Sequence, residues 1–311
     1  MDLIEPIVTE KPNTDRIPLQ LERTHNTCPL CTSDKIEKLP KFNGAFLASC
    51  MECSFVFSER IPTKKELDAY YNDEYEVTSF YSQITAARYN ELLDYFEKFR
   101  LTNKILDVGC GNGFFLEAAQ KRGWEVYGAD FSKSSIEICK KKGIHMHEGI
   151  LTSDAFPPDS FDVVTSFEVL EHINNPNEEL GYINSFLRKN GIAYVTTPNF
   201  NALLRYRLGE KYDVINYPEH LTYYTRKTLK KVFQKNNFRA LSIRTTGVSI
   251  TRLKTSKGKS NQAYVSETSD DELLRHKIEK KWHLKALKRF TNWWLNLFKI
   301  GNSLKGIFQK V

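Results

Sequence analysis

The sequence predicts an α/β fold in which a mainly parallel sheet of seven strands carries helices on both faces, with a small separate module in front of it. Three observations support this prediction. Strand-like apolar runs alternate with helical segments of about ten residues from residue 104 onward. A glycine-rich turn follows the first of these strands. Two C-x-x-C pairs lie within residues 25–60, ahead of the alternating region.

The alternating segments give the order of the predicted elements. Five strands are predicted in the runs 104–110, 125–132, 144–149, 161–173 and 192–199, with helices in the runs 114–123, 133–143 and 177–191. A helix at 225–238 precedes a sixth strand at 239–249, and a final strand is predicted after residue 300. Between them, the polar residues 250–270 predict a loop, and residues 271–299 predict basic helical structure.

Composition and charge narrow the class of protein. The chain has 311 residues, of which 41% are hydrophobic and 27% are charged, as in ordinary globular proteins. No apolar run approaches the roughly 18 residues of a membrane-spanning helix, and the N-terminal residues lack the pattern of a secretory signal. We therefore expect a cytoplasmic protein. The net charge of +7 is too small to indicate nucleic-acid binding by itself.

The segment ILDVGCGNGFF places an acid and three glycines where the first predicted strand meets the next helix. Glycines at such a turn adopt conformations that a Cβ would forbid and let the backbone approach a ligand. A second acid, Asp130, lies 17 residues after Gly113 at the end of the next strand, where a carboxylate can accept both ribose hydroxyls. The loop thus predicts a nucleoside cofactor. Its G-x-G-x-G spacing differs from the G-x-G-x-x-G of nicotinamide-binding folds, and a turn without a ligand is the remaining alternative.

The form D-x-G-x-G-x-G resembles the class I methyltransferases that depend on S-adenosylmethionine (SAM) and have a Rossmann-like fold. The resemblance covers roughly residues 85–240 and includes FDVVTSFEVLEHINNP, YVTTPNF and HLTYYTRKTLKKVFQKNNF. Within the family, these segments are similar to the branch that contains ubiquinone-pathway O-methyltransferases and many methyltransferases of sugar and polysaccharide biosynthesis.

The resemblance implies a cofactor site built from matching positions. The implied SAM-binding residues are Arg88 at the carboxylate, Asp107, Gly109, Gly111 and Gly113 at the methionine end, Asp130 at the ribose, Phe131 and Ile150 beside the adenine, and Phe167 under the sulfonium. The insertion near 200–225 is implied to cover the substrate.

The segment EVLEH follows the fourth predicted strand, at the sheet edge where ligands bind. His172 is a candidate base for the proton of an attacking nucleophile, with Glu171 beside it. In the ubiquinone-pathway relatives a matching E-x-x-E-H is associated with a divalent metal, which implies Glu168, Glu171 and His172 as metal ligands. A structural role for the segment is the alternative. His220, in YPEHLTYY, is the second candidate base.

Cys28, Cys31, Cys50 and Cys53 have the spacing C-x2-C-x18-C-x2-C. This spacing predicts a structural zinc site with four thiolate ligands, because two such turns can place four sulfurs around one ion. An iron–sulfur or redox site and an empty site are the alternatives. Some sugar methyltransferases carry a similar module, which implies that this one helps to cover the substrate.

The predicted units of the chain are a flexible leader (1–24), a zinc-ribbon module (25–60), a helical cap (61–100), the SAM-binding methyltransferase core (101–249), a loop and basic helical insertion (250–300) and a closing strand (301–311). The segment KWHLKALKRFTNWWLNLFKIG in the insertion predicts an amphipathic helix. Such a helix either packs on the protein or lies on a membrane surface, and we therefore expect a cytoplasmic protein with peripheral contact to the inner membrane surface as one alternative.

The function expected from the resemblance is O-methylation of a small molecule, with a sugar or a nucleotide- or lipid-linked glycan as the acceptor. One alternative is a methyltransferase that acts on tRNA or on a quinol, although nucleic acid is the less favoured partner. The other is a SAM-binding scaffold without catalysis.

Overall fold

The computed structural model describes residues 23–67, 70, 81–255, 257 and 270–311. Its strands are β1 (Arg23–Thr24), β2 (Ile36–Lys38), β3 (Leu47–Cys50), β4 (Val56–Ser58), β5 (Arg60–Ile61), β6 (Lys104–Val108), β7 (Glu125–Asp130), β8 (His145–Glu148), β9 (Phe161–Phe167), β10 (Leu187–Pro198), β11 (Thr222–Tyr223), β12 (Phe238–Thr246) and β13 (Ser303–Lys310). Its α-helices are α1 (Gln83–Phe96), α2 (Phe114–Gln120), α3 (Lys133–Lys141), α4 (Pro176–Phe186), α5 (Leu203–Leu208), α6 (Arg226–Lys235), α7 (Ile250–Thr255), α8 (Asp270–Lys280) and α9 (Trp282–Phe298). Short 3-10 helices lie at Pro40–Ala45, Glu97–Phe99, Leu170–His172 and Gly209–Lys211.

Seven strands form the central sheet in the order β12-β13-β10-β9-β6-β7-β8. The strands from β10 to β8 are parallel, and β13 is antiparallel to both of its neighbours. The prediction of a mainly parallel, seven-stranded sheet is confirmed. The carboxyl ends of β6, β7, β9, β10 and β12 therefore lie at one edge, which is where ligands bind in folds of this kind.

Helices cover both faces of the sheet, as predicted. On one face, α4 and α6 contribute Phe186 and Phe233 to the larger apolar core. On the other face, α1, α2 and α3 contribute Phe96, Leu116 and Cys139 to a second core. The two cores hold the sheet rigidly, so the loops at its carboxyl edge are fixed in position.

The prediction of a helix at 177–191 is wrong for its last five residues, 187–191, which form part of a strand. Leu187 already belongs to β10, where it pairs with Phe161 before a shift in strand register. Gly191, the last residue of the predicted helix, does not end a helix. It lies instead in the bulge of this strand, where a Cβ would stand 2.9 Å from the carbonyl oxygen of Arg188.

Two predicted unit boundaries also differ from the structure. The loop predicted at 250–270 begins with a helix, because residues 250–255 form α7; residues 256 and 258–269 lie outside the described residues. The leader predicted at 1–24 ends in a strand, because Arg23 and Thr24 pair with β5. Residues 1–22 lie outside the described residues.

The cysteine-containing module, residues 25–60, is joined to the core by a shared sheet. Its strands β2, β3 and β4 continue into β11, which comes from the insertion near 200–225. Thr222 pairs with Phe57, and the Ser58 amide donates a hydrogen bond to the Leu221 carbonyl over 2.7 Å. The module therefore fixes the backbone next to His220. In the described part of the chain, no helix is long and apolar enough to span a bilayer.

Candidate active site

In the glycine-rich loop between β6 and α2, close contacts leave no room for a side chain at two of the three glycines. Gly109 has φ of +69°, and a Cβ on it would stand 2.5 Å from Cγ2 of Val169. Gly113 has φ of +71°, and a Cβ on it would stand 2.8 Å from Sγ of Cys139. At Gly111, by contrast, no atom of the described residues lies within 4 Å of a Cβ position. The loop thus presents open space at its centre, which suits a bound ligand.

Asp107 lies at the end of β6, beneath this loop, and is buried. It accepts a hydrogen bond of 2.7 Å from the Thr165 hydroxyl. Burial is the main cause that raises the pKa of the Asp107 carboxyl, to about 8; the charge of Asp130 contributes in the same direction, and the Thr165 bond opposes the shift. A buried carboxyl of this kind fits a cationic partner such as an ammonium group, which would restore the ionised form.

Asp130 ends β7 as predicted, and its carboxylate faces the same loop. One oxygen accepts from the Gly111 amide over 2.8 Å, and the other accepts from the Ser132 amide over 2.9 Å. Each carboxylate oxygen has a second lone pair, so Asp130 can still accept from ribose hydroxyls. Two large apolar side chains stand exposed beside it, Phe131 at 56% and Ile150 at 77%. Exposed apolar groups at a ligand edge suit an adenine ring between them.

Phe167, at the end of β9, is packed among aromatic rings. Its ring centroid lies 5.1 Å from that of Phe115 and 5.6 Å from those of Tyr89 and Tyr194. The group forms one wall at the carboxyl edge of the sheet, next to the glycine-rich loop.

Arg88 lies on α1, one residue before Tyr89, and charges of both signs act on it, those of Arg275 and of Glu91, Glu272 and Glu279. Burial lowers the pKa of its guanidinium, and the charge of Arg275 adds to this effect. Burial also lowers the pKa of Lys305 on β13. The neighbouring charge of Arg88 acts in the same direction, and the charge of Glu168 opposes the shift. Sequence reasoning did not find Lys305. The signal available was a lysine between Leu304 and Gly306 in the closing strand.

The EVLEH segment packs directly on the glycine-rich loop, through the contact of Val169 with Gly109. Glu168 has φ of +53°, a strained conformation for a residue with a side chain, and such residues concentrate at functional sites. Its amide donates to the Thr196 carbonyl over 3.0 Å. Glu171 is buried and accepts 2.8 Å from the Thr197 hydroxyl. Burial holds the pKa of the Glu171 carboxyl well above its usual range.

His172 and His220 meet at this point, although 48 residues separate them in the sequence. Nδ1 of His172 lies 2.8 Å from the carbonyl oxygen of Glu219, and Nδ1 of His220 lies 2.6 Å from that of Val214. A carbonyl oxygen only accepts, so each Nδ1 carries a proton and donates it. In the neutral ring this leaves Nε2 with a lone pair. The structure therefore brings the two predicted bases together in the same tautomer.

Glu219 was not singled out from the sequence. Tyr70 donates to its carboxylate over 2.8 Å, and the Asn216 amide donates over 2.9 Å. These bonds hold the turn whose carbonyl orients His172. The pattern P-E-H was the available signal, because it joins an acid to a candidate base.

The metal ligand set implied at Glu168, Glu171 and His172 differs in one member from the group that the structure brings together. Of the described residues, the donor atoms that lie within 4.8 Å of one another here are those of Glu171, His172 and His220. The bond from the Leu221 amide to the Glu171 carbonyl brings His220 close to Glu171.

The four predicted zinc ligands do form one cluster. Sγ of Cys28 lies 3.6 Å from Sγ of Cys53, and Sγ of Cys31 lies 3.5 Å from Sγ of Cys50. All four sulfurs lie within 4.8 Å of one another. A tetrahedron with metal–sulfur distances of about 2.3 Å has sulfur–sulfur edges of roughly 3.8 Å, so the cluster fits a zinc ion. The distances are far longer than the roughly 2.05 Å of a disulfide.

Comparison with known proteins gives both sequence relatives and similar structures. Residues 80–243 match a family model described as a methyltransferase domain. Ubiquinone biosynthesis O-methyltransferases are similar: that of Aeromonas salmonicida is 32% identical over 118 residues, covering 35% of this chain and 50% of the relative. That of Azoarcus sp. is 34% identical over 121 residues, covering 35% and 51%. The chain spans about half the length of these curated relatives.

Among solved structures, a SAM-dependent methyltransferase from Archaeoglobus fulgidus has a TM-score of 0.49 at 19% identity, covering 78% of this chain and 99% of that one. A geranyl diphosphate C-methyltransferase from Streptomyces coelicolor A3(2) has a TM-score of 0.47 at 13% identity, covering 71% and 77%. The matched family model covers more than half of the sequence, and it includes the glycine-rich loop and both candidate bases. The chain therefore belongs to the family of methyltransferase domains, as its motifs predicted.

Proposed function

We propose that this protein is a SAM-dependent methyltransferase that methylates a hydroxyl oxygen of a small molecule. The observation that carries the proposal is the pair of imidazoles, His172 and His220, whose Nδ1 atoms both donate to backbone carbonyls. Their Nε2 atoms are available to accept a proton. His172 lies on the EVLEH segment, which touches the glycine-rich loop through Val169, so a base and a cofactor site are adjacent.

Asp107, the open loop at Gly111 and Asp130 are the residues that would hold SAM, which supplies a methyl group on a positively charged sulfur. Phe131 and Ile150 would flank the adenine. Arg88 stays the predicted contact of the SAM carboxylate, as a half-buried guanidinium next to Tyr89 of the aromatic wall. The aromatic wall at Phe167 excludes water from the side of the sulfonium, where hydrolysis would compete with transfer.

The chain's own contribution to the reaction is positioning and proton transfer. The acceptor hydroxyl would donate its proton to Nε2 of His172 or His220 as its oxygen takes the methyl group that SAM would supply, and the sulfur of SAM would keep the electrons of the bond that breaks. The imidazolium then loses the proton to solvent. A base placed in this way contributes typically 10²- to 10⁴-fold. The carbonyls of Glu219 and Val214 keep both rings in the tautomer that this step needs.

Two acceptor classes are supported by different observations. The relatives named as ubiquinone biosynthesis O-methyltransferases favour a quinol-type phenol. The cysteine module, which covers the insertion that carries His220, favours the glycan hydroxyl expected from the sequence. Both classes attack through oxygen, so the same base serves either acceptor.

The test combines cofactor binding with turnover. Titration calorimetry with S-adenosylhomocysteine should show binding to the wild type and to His172→Asn and His220→Asn, because asparagine can keep the donor at Nδ1 and lacks Nε2. Turnover on a panel of phenols, quinols and nucleotide sugars should fall in at least one of these variants. Binding without turnover on any hydroxyl acceptor would favour the scaffold alternative and contradict the proposal.

We further propose that Cys28, Cys31, Cys50 and Cys53 hold one structural zinc ion, which when bound ties the two C-x-x-C turns together. The four ligand positions are all filled by protein, so the ion has no open position for substrate. Glu171, His172 and His220 could instead hold a divalent ion that acidifies the acceptor. Dialysis against a chelator separates the two sites. Loss of activity that Mg²⁺ restores, with zinc retained, would support the second ion and remove the role of the free bases.

A further inference from the structure

The helix α9 carries a broad apolar face that the described part of the chain leaves open. Its exposed large apolar side chains, with exposed fractions from 39% to 81%, are Trp282, Leu287, Phe290, Trp293, Trp294, Leu297 and Phe298. At 3.6 residues per turn these positions fall on one arc of about 160°. A continuous patch of this kind marks a surface that binds a partner or a membrane.

The helix is held in place by its opposite side. Leu295 is buried, and the Thr245 hydroxyl donates to its carbonyl over 2.9 Å. The side chains of Asn292 and Asn296 accept from the amides of Gly247 and Thr245, each over 3.0 Å. These contacts fix the rotation of α9, so the apolar arc faces away from the sheet.

Basic residues occupy the part of α9 that the apolar arc leaves. Six lysines and arginines lie from Lys280 to Lys299, and no aspartate or glutamate occurs from residue 280 to 311. Lys285 and Lys288 pair with Glu279, which precedes the helix, and the other four have no ion pair among the described residues. Lys299 directly follows the helix and also lines a depression of about 320 Å³ together with Arg226, Lys227 and Lys230 of α6. The apolar face and this cationic depression are therefore continuous at Lys299.

We propose that α9 and the cationic depression bind the surface of an anionic lipid bilayer. Tryptophan, phenylalanine and leucine on one side of a helix, with lysine and arginine around them, are the composition of a helix that lies in the membrane interface. Anionic headgroups supply the charge that the depression lacks. A second copy of this chain would instead place two cationic surfaces opposite each other, which charge repulsion opposes.

The position of the surface has a consequence for the active site. The segment from Gly247 to Asn302 leaves and re-enters the sheet at its carboxyl edge, where the Asn302 amide donates to the Gly247 carbonyl over 3.0 Å. This is the edge that carries the candidate active site. A bound bilayer would thus lie on the side from which an acceptor with a lipid tail would arrive. That consequence rests on the proposed function, whereas the binding does not.

The experiment is co-sedimentation of the full chain with vesicles of phosphatidylcholine alone or of phosphatidylcholine mixed with phosphatidylglycerol. We expect binding to the mixed vesicles that weakens as salt is added, with a blue shift of tryptophan emission. Phe290→Ser combined with Trp293→Ser should weaken binding at least tenfold, and Lys227→Glu combined with Lys230→Glu should remove the preference for phosphatidylglycerol. Leu101→Ser and Lys189→Glu, at exposed positions elsewhere, are the matched controls.

Two results would overturn the proposal. One is folded wild-type protein that does not bind the mixed vesicles. The other is a wild-type dimer, detected by ultracentrifugation, that Phe290→Ser with Trp293→Ser converts to a monomer while vesicle binding is unchanged. S-adenosylhomocysteine affinity, measured on the same samples, should stay unchanged in every variant, so a failure here is distinct from a failure of the proposed methyltransferase function.

Discussion

The rings of His172 and His220 stand edge to face, with their centroids 4.9 Å apart. Both are anchored through Nδ1 to backbone carbonyls. The charge of His172 also contributes to the lowered pKa of His220, after burial. Only one ring of such a pair can readily carry a proton at a time, because a second positive charge nearby is unfavourable.

The pair predicts unequal effects of two matched substitutions. His172→Asn and His220→Asn remove Nε2 from one ring each. The variant that lacks the base should lose 10²- to 10⁴-fold in kcat, and the other should lose less. The double variant should lose little more than the worse single one, because residues that act as a unit are not additive. Steady-state kinetics on the acceptor found in the panel would check this, and equal, multiplicative losses would contradict it.

Because His220 is buried, we expect the folded protein to lose stability in mild acid. Burial lowers the pKa of its imidazole from 6.5 to about 4. The unfolded chain therefore binds a proton near pH 6.5 that the folded chain binds only near pH 4, so the free energy of unfolding should fall as pH drops between these values. The full effect is about 3 kcal/mol. Urea unfolding at pH 7 and pH 5 would measure it.

The control for this prediction compares two histidines. His220→Asn keeps a donor for Val214 and does not titrate, so its unfolding free energy should depend less on pH than that of the wild type. His283→Asn, at an exposed position on α9, should leave the pH dependence unchanged. An unchanged slope in His220→Asn would show that other groups cause the acid sensitivity.

Asp107 predicts proton release when the cofactor binds. Burial raises the pKa of its carboxyl to about 8, so the carboxyl is largely protonated at pH 7 in the free protein. A cation that binds beside it favours ionisation and expels the proton. Calorimetry in buffers of different ionisation enthalpy should show release of up to about one proton per SAM at pH 7. Asp107→Asn should abolish the release, and equal heats in all buffers would contradict the assignment.

The contact of Gly109 with Val169 leads us to expect a clash in Gly109→Ala that Val169→Ala relieves. An alanine there would place its Cβ 2.5 Å from Cγ2 of Val169 at a φ of +69°. We expect Gly109→Ala to destabilise the protein by about 2 kcal/mol and to weaken SAM binding. Val169→Ala in the same chain should recover part of the loss. Gly111→Ala has a similar backbone but open space, so its stability should suffer less, and equal losses would rule out the clash.

Because β4 of the cysteine module pairs with β11 next to His220, we expect loss of the zinc site to lower turnover. Cys50→Ser should lose zinc and release β4 from β11, which would free the segment that holds His220. We expect kcat to fall at least tenfold while S-adenosylhomocysteine still binds. Met51→Ser, at an exposed position between the same cysteines, should keep both zinc and activity. Metal analysis and kinetics on one preparation would check this, and a zinc-free variant with full kcat would contradict the link.

Most of the sheet could be predicted because each strand is specified by local sequence. The run ending in Asp107 and the glycine-rich turn after it are both local signals, and they correctly placed β6, α2 and Asp130. Residues 187–191 were misassigned because a glycine ends a helix and fits a strand bulge equally well. The meeting of His172 with His220 could not be predicted from spacing, since it depends on one long-range bond from the Leu221 amide to the Glu171 carbonyl.

The pairing of β4 with β11 also determines when the four-stranded sheet can be completed during synthesis. The first three strands of that sheet leave the ribosome early, but Thr222 and Tyr223 follow about 160 residues later, which takes roughly 10 to 30 seconds of translation. For that interval β4 has an unpaired edge that is open to the strands of other nascent chains. The sheet next to His220 is thus completed late in synthesis. Conditions that slow translation should lengthen the period in which the chain is prone to aggregate.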